Sequence, residues 1–425
     1  MTIKTKIKKT FPIHSLTALL KTEKHEEPVI DGLRGLSVIM VVVFHSLFTV
    51  YFIFKSRPEL FQTYIEGFVL PSRFLFGFDK AVDIFFMISA YLLGKSLLRQ
   101  ASEQHIRIRT FYINRVFRIY PLFLLALLIF SLGSWHLFER DFWFNLIFVD
   151  NFMHNTIIPV GWSLSVEMQC YLLLPFVIIL ANKTNSPVLF FSALLVFAIA
   201  LRAYMALQNP EVYQIPFYAI LLNPEIDYQY MDVMYYSTPS RVASFVVGLL
   251  WASIVLHPRY RHVCNYLVKN KNLASMLAGI CGILILISFY FPVYDQLTWE
   301  RWPLLQELNF VFVSFHRFIF SLALLALILL SNGKLSLTNR FLSSRFFRPF
   351  SKLAFPIYLF HFPALVIAWL LVLQTTKIKT IVAITPLQTG MAAVIAMVIV
   401  VWISLPLHYL LEKKFINLGR KLCRS

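Results

Sequence analysis

Ten stretches of about 20 predominantly apolar residues recur along this chain, each long enough to cross the hydrocarbon core of a bilayer as a helix. They lie near 36–54, 81–98, 116–134, 162–182, 187–208, 240–257, 273–292, 310–331, 350–374 and 386–411. In lipid a spanning segment must satisfy its own backbone polar groups. The pattern therefore predicts an all-α polytopic membrane protein of about ten transmembrane helices. Composition agrees: 58% of the 425 residues are hydrophobic and only 14% are charged, against about 25% charged in a soluble domain. That shortage of charge excludes a soluble multidomain protein, and the apolar bias with only 13 glycines excludes disorder and collagen-like structure. An eleventh apolar stretch, Phe142 to Val149, is too short to span and reads as interfacial or re-entrant. No internal repeat or low-complexity tract is visible.

The formal net charge of +18 would suggest nucleic acid in a soluble chain. In a membrane protein it reads as loop asymmetry, and no nucleic-acid partner is expected. With the N-terminus in the cytoplasm, the inner segments hold 24 Lys and Arg and the outer segments 8. That bias predicts an N-in, C-in protein of the cytoplasmic membrane. The outer segment 209–239 holds no Lys or Arg and carries Glu211, Glu225, Asp227 and Asp232, in keeping. The four cysteines form no C-x-x-C pair, so neither a metal site nor a disulfide framework is predicted. Residues 1–28 are Lys-rich without an apolar core, unlike a cleavable signal peptide. The organisation expected is a basic segment 1–28, a membrane domain 29–412 and a basic tail 413–425, the flanking segments cytoplasmic.

Ionisable groups at membrane depth are costly, so each is a functional candidate. After those near span ends are discounted, His45, Asp83, Glu167, His316, Arg317 and His361 remain. Arg34 and His45 are eleven residues apart, which at about 100° per residue returns to one helix face roughly 16 Å further on. Asp31, three residues before Arg34, shares that face. An imidazole there serves either as a general base or as interhelical hydrogen-bond glue. Ser163, Glu167 and Tyr171 follow i, i+4, i+8 and line one face of the fourth span. Its carboxylate suits orienting an imidazole or binding sugar hydroxyls, with neutral packing as the plainer alternative; Trp162 lies beside it. Arg115 and Arg118 form a guanidinium pair suited to phosphate, which Lys95 can join, whereas Arg107 and Arg109 read as positive-inside anchors. His361 lies between Pro356 and Pro363 in the ninth span, and His316-Arg317 can face the same cavity or pair with Asp83.

Five motifs in order carry a resemblance. They are Asp31-Gly-Leu-Arg34 with His45 after ten residues; Asp83-Ile-Phe-Phe-Met-Ile-Ser89-Ala-Tyr91-Leu; Asn114-Arg115-Val-Phe-Arg118-Ile-Tyr120-Pro121; Gly161-Trp162-Ser163-Leu-Ser165-Val-Glu167; and Tyr358-Leu-Phe-His361. Over about residues 30 to 410 the chain resembles the integral-membrane acyltransferase-3 family, bacterial enzymes that O-acylate lipopolysaccharide, peptidoglycan and other extracytoplasmic glycans. Ala90 departs from the Gly usual in the family after Ser89. The chain ends just after the tenth span, so the hydrolase-like domain of some relatives is not expected.

The resemblance implies an O-acyltransferase that moves an acyl group, acetyl by default, from cytoplasmic acyl-CoA to a hydroxyl of an extracytoplasmic glycan, free or lipid-linked, such as lipopolysaccharide O-antigen. Acyl-CoA is then a donor substrate and no cofactor is permanently bound. The family's Arg-x10-His and Arg-x-x-Arg patterns carry over to Arg34 with His45 and to Arg115 with Arg118. In this reading His45 is the general base, with His361 as a second candidate, and Glu167 or Asp83 orients it. Arg34, Arg115, Arg118 and Lys95 meet the donor phosphates, and Trp162, Ser163 and Tyr171 bind the acceptor. The alternative from another class is a transporter or flippase of a lipid-linked sugar or small anion, for which no inverted repeat is visible.

Overall fold

The computed structural model describes residues 19, 27–134, 138–153, 155–215, 229–290, 301, 303–330 and 337–423. Most of the basic segment 1–28, together with Glu225, Asp227 and Lys334, lies outside the described residues. Among the described residues the chain is helical and contains no strand. Ten helices are long and apolar enough to cross a membrane. They are α1 Pro28–Phe54, α2 Ala81–Ser102, α3 Ile108–Ser134, α4 Gly161–Asn182, α5 Pro187–Gln208, α6 Thr238–Leu256, α7 Lys271–Tyr290, α8 Pro303–Leu330, α9 Ala354–Leu373 and α10 Pro386–Leu407. All ten expected spans are present. A 3-10 turn, Leu70–Lys80, leads into α2, and a π-helical turn, Met231–Tyr236, leads into α6. The stretch 142–149 falls in a short helix, Arg140–Leu146, and the turn after it, which do not span.

Burial sorts the helices into layers. α2 and α6 are the most enclosed and pack extensively on each other, with α1, α4, α8 and α9 completing the centre. α5 and α7 present most of their apolar surface outward. That surface is what lipid covers, so outward Leu, Val and Phe side chains cost nothing there. The α2–α6 contact depends on small residues: a Cβ on Gly248 would come within 2.3 Å of the Met87 carbonyl oxygen and 2.7 Å of the Ala90 Cβ. Such close backbone approach is how membrane helices associate when no hydrophobic force distinguishes lipid from protein. At the start of α1 the Asp-Gly-Leu-Arg motif has the same logic, because a Cβ on Gly32 would strike the Leu342 carbonyl at 1.8 Å. The glycine lets α1 lie against the segment that leads into α9.

Charge also holds the core. Asp83 is fully buried on α2. Arg317 of α8 donates to its carboxylate at 2.7 Å, and the Ser244 hydroxyl of α6 donates at 2.7 Å. Arg317 reaches Asp79 as well, and Asp79 pairs with Lys80 at 2.9 Å. Arg241 of α6 lies 3.8 Å from Asp83, between the rings of Trp162 and Tyr235 at 5.0 Å each. Arg202 of α5 donates to the carbonyls of Met234, Ser240 and Val313 at 2.7–3.2 Å. It thereby satisfies carbonyls of the π-turn before α6, of α6 and of α8. Beyond α10 the chain turns through a π-helical segment, His408–Glu412, into Lys413–Leu422, which packs on α3 with Gly419 against Phe117.

Candidate functional site

Two cavities penetrate the bundle from opposite ends. The first, of about 230 Å³, is lined by Arg34, Ser89, Arg115, Arg118, Ser163, Glu167, Tyr171, Lys352, Tyr358 and Glu412 among others. It contains four basic and two acidic side chains, so it suits an anionic ligand. Asp31 sits 3.6 Å from Arg34 and accepts a hydrogen bond from Ser351 at 3.0 Å, so the charge pair predicted from i, i+3 spacing is present. The Arg115 guanidinium lies 5.9 Å from the centre of the Tyr171 ring. Deeper in, the Tyr171 hydroxyl donates to Glu167 and is itself hydrogen-bonded to Ser89. Lys95 lines an adjoining groove, where it pairs with Glu27 at 2.7 Å and meets the Tyr91 hydroxyl at 2.9 Å.

The second cavity, of about 490 Å³, opens at the other end of α1. Its wall is aromatic, with Phe44, Phe48, Tyr51, Trp162, Tyr235 and Phe362, and its polar groups include Asp79, Asp150, Asn151, Asn155 and Thr156. Rings with a few acceptor and amide groups are the surface that a saccharide meets by stacking and hydrogen bonding. His45 lines this cavity, flanked by Phe362 at 4.8 Å and Phe44 at 5.3 Å between ring centres.

Behind the wall of the second cavity lies a histidine pair. His361 is fully buried, and its Nδ1–H donates to the Tyr358 carbonyl at 2.8 Å. A carbonyl can only accept, so in the neutral ring Nε2 carries the lone pair. That Nε2 lies 3.1 Å from Nδ1 of His45, which is also 3.0 Å from the Val41 carbonyl. Both partners of His45 Nδ1 accept, so Nδ1 bears the proton and Nε2 of His45 is left with its lone pair. The arrangement orients one imidazole with another, the role a carboxylate fills in a Ser-His-Asp triad. Beside it the hydroxyls of Ser163 and Tyr358 are hydrogen-bonded to each other, joining α4 to α9. Tyr358 and Ser163 belong to the first cavity and Trp162 to the second, so this layer is the partition between them.

The structure thus brings His45 and His361 together and groups Arg34, Arg115 and Arg118 with Glu167, Ser163 and Tyr171. Trp162 lies in the opposite cavity. Glu167 is engaged with Tyr171, and Asp83 is engaged with Arg317 and Ser244. The His45–His361 contact spans 316 positions of sequence, so no local spacing signals it. Asp150 was not among the residues singled out from the sequence, because it lies in a turn outside every span. Its signal was an acidic residue next to an asparagine at the end of a short apolar stretch. Among the described residues no group of three or more His, Cys, Asp or Glu side chains is arranged to hold a metal ion.

A family model described as an acyltransferase domain matches residues 27–409. The chain is 28% identical over 241 residues to an uncharacterized protein of Haemophilus influenzae, covering 51% of this chain and 89% of that one. It is 25% identical over 360 residues to the O-acetyltransferase OatA of Staphylococcus aureus, covering 80% of this chain and 50% of the relative. With the peptidoglycan O-acetyltransferase OatA of Listeria monocytogenes it shares 25% identity over 359 residues, 79% of this chain and 49% of the relative. The chain therefore spans about half the length of these two acetyltransferases. No solved structure matches it.

Proposed function

The chain belongs to the acyltransferase-3 family of membrane acyltransferases, and from that membership we propose that it moves an acyl group, acetyl by default, from cytoplasmic acyl-CoA to a glycan hydroxyl on the far side of the cytoplasmic membrane. The observation that carries this reading is the pair of chemically different cavities, the second of which has His45 of a histidine dyad in its wall. The basic cavity suits a phosphate-bearing donor, with Arg34, Arg115 and Arg118 as the phosphate partners and Lys95 at its rim. The aromatic cavity suits the sugar. The acceptor is a glycan such as lipopolysaccharide O-antigen or the peptidoglycan named for the Listeria relative.

In the proposed reaction the acceptor oxygen attacks the thioester carbonyl while its proton passes to Nε2 of His45. The C–S bond breaks, the CoA sulfur takes up a proton, and an ester remains on the sugar. His361 stabilises the imidazolium by accepting the Nδ1–H bond. Glu167 supports the donor side through Tyr171, and Asp83 holds α2, α6 and α8 in register around the site. The test is NMR of surface polysaccharide from cells with and without this gene. Loss of O-acyl signals on deletion supports the assignment, and unchanged O-acylation contradicts it. A transporter has no such requirement and would leave the glycan unmodified.

A further inference from the structure

The aromatic cavity holds a buried carboxylate that the proposed reaction does not use. Asp150 lines the cavity and is 1% exposed. Its Oδ1 accepts from the Ser165 hydroxyl, and the Thr156 side chain and the backbone N–H groups of Asp150 and Asn151 also face the carboxylate, while Oδ2 is buried without a hydrogen bond of good geometry. A buried carboxylate oxygen without a partner is costly, so such atoms call for an explanation.

The turn that carries Asp150 is built to hold it in place. Asn145 donates to the carbonyls of Asp141 and Asn155 at 2.9 and 3.0 Å, closing the loop around the residue. Asn151 donates to Thr238 at 2.9 Å, and Gln169 donates to Asn151 and to the Phe148 carbonyl at 2.8 Å each. Phe148 adopts a left-handed backbone at φ 58°, with its ring 4.4 Å from that of Phe123. A bulky residue in that region is strained and persists only where its surroundings demand it. The turn therefore fixes Asp150 before any ligand arrives.

The charges around it narrow the ligand. Asp79, Asp150 and Asp232 line this cavity, together with Lys55 and the imidazole of His45. Asp79 is paired with Lys80 and Arg317, and Asp232 and Lys55 have partners of their own, while the side chains of Asp150, Asn151 and Asn155 supply acceptors to the wall. An acceptor-rich aromatic cavity binds hydroxyl donors and repels carboxylates and phosphates.

We propose that Asp150 accepts, through Oδ2, a hydrogen bond from a hydroxyl of the acceptor sugar, and that it makes the cavity selective for uncharged saccharides over anionic ones. The proposal rests on reading this cavity as the acceptor site. It is tested by saccharide binding to the full-length protein in nanodiscs without acyl-CoA, read by tryptophan fluorescence, with Trp162→Phe identifying the reporter. The probes are N,N′,N″-triacetylchitotriose, maltotriose and mannotriose, set against trigalacturonate and sialyllactose.

At least one neutral trisaccharide is expected to bind and neither anionic one to compete with it. Asp150→Ala is expected to weaken that binding by about tenfold or more, the loss of a hydrogen bond to a charged group. Asp150→Asn, which preserves shape and the Ser165 contact, is expected to fall between and shows that the loss is not misfolding. Tighter binding of an anionic probe, binding unchanged in Asp150→Ala, or no binding by any saccharide overturns the proposal. Because no acyl donor is present, failure here with O-acylation intact refutes the role of Asp150 alone. Loss of O-acylation dependence with saccharide binding intact refutes the enzymatic reading instead.

Discussion

Nε2 of His361 lies 3.1 Å from Nδ1 of His45, joining the first and ninth spans through two imidazoles. Because the other nitrogen of His361 donates to the Tyr358 carbonyl, the pair has a fixed direction of hydrogen bonding. In that direction His45 is the proposed base and His361 its proposed support. His361→Ala should therefore slow acyl transfer by roughly tenfold to a hundredfold, leaving the KM for acyl-CoA unchanged. Steady-state kinetics in vesicles decide it; a raised donor KM with normal turnover would assign His361 to the donor instead.

Arg115 and Arg118 sit in the basic cavity beside Glu167 and Tyr171. Neutralising both should abolish the stabilisation that CoA gives the purified protein against heat. A folded state that binds ligand gains stability in proportion to the logarithm of occupancy, so loss of binding appears as loss of the thermal shift. The shift should also shrink with added salt, as expected for phosphate contacts. An undiminished shift in the double variant would remove these residues from the donor site.

Asp83 and Arg317 meet at 2.7 Å with both side chains almost wholly enclosed. Removing one member of such a pair leaves a buried charge without its partner, at a cost of about 3–5 kcal/mol. Asp83→Ala and Arg317→Ala should each lower the thermal unfolding temperature and the yield of monodisperse protein. An exposed control such as Lys377→Ala should change neither. Normal stability with lost activity in Asp83→Ala would make Asp83 a reacting group.

Burial pushes the Asp150 carboxyl up to about 6, against an ordinary value near 3.8. The folded protein thus holds this proton more tightly than the unfolded chain does. Its contribution to stability is fully present below pH 3.8 and declines as pH rises through 6. Asp150→Asn removes that decline, so the variant should gain stability relative to the parent at pH 8 more than at pH 5. Thermal melts at the two pH values measure the difference, and a gain confined to pH 5 would reverse the sign.

Gly248 packs against the Met87 carbonyl and Ala90. Gly248→Ala should force α2 and α6 apart, costing about 1–3 kcal/mol by overpacking. Unfolding midpoints of this variant and of Ala90→Gly/Gly248→Ala should differ, the second recovering part of the loss. Equal midpoints would show that the helices have room to spare.

Much of this architecture was legible because lipid imposes simple rules. Twenty apolar residues are needed to span, and every buried charge is conspicuous in a chain with so few of them. The face shared by Ser163, Glu167 and Tyr171 and the pairing of Asp31 with Arg34 follow from helical spacing, and the structure contains both. The partnership of His45 with His361 was not legible, because no periodicity relates the two positions, whereas pairing of Arg317 with Asp83 is one of the two alternatives the sequence offers, and the structure contains it. Asp150 was missed for a related reason. Its burial comes from a non-spanning turn folded back into the bundle, where hydropathy gives no signal. The pairing of Lys95 with Glu27, the residue just before α1, has no local spacing to signal it either.

The central claim is that His45 takes the proton as an acyl group crosses from CoA to a sugar. The most direct measurement uses the full-length protein in sealed vesicles, with radiolabelled acetyl-CoA supplied on the Arg115 side and glycan on the His45 side. Ester-linked label recovered on the glycan is compared for the parent and for His45→Ala at equal insertion. The account predicts label with the parent and none above background with the variant. Equal label with the variant would contradict it, as would a parent that transfers none.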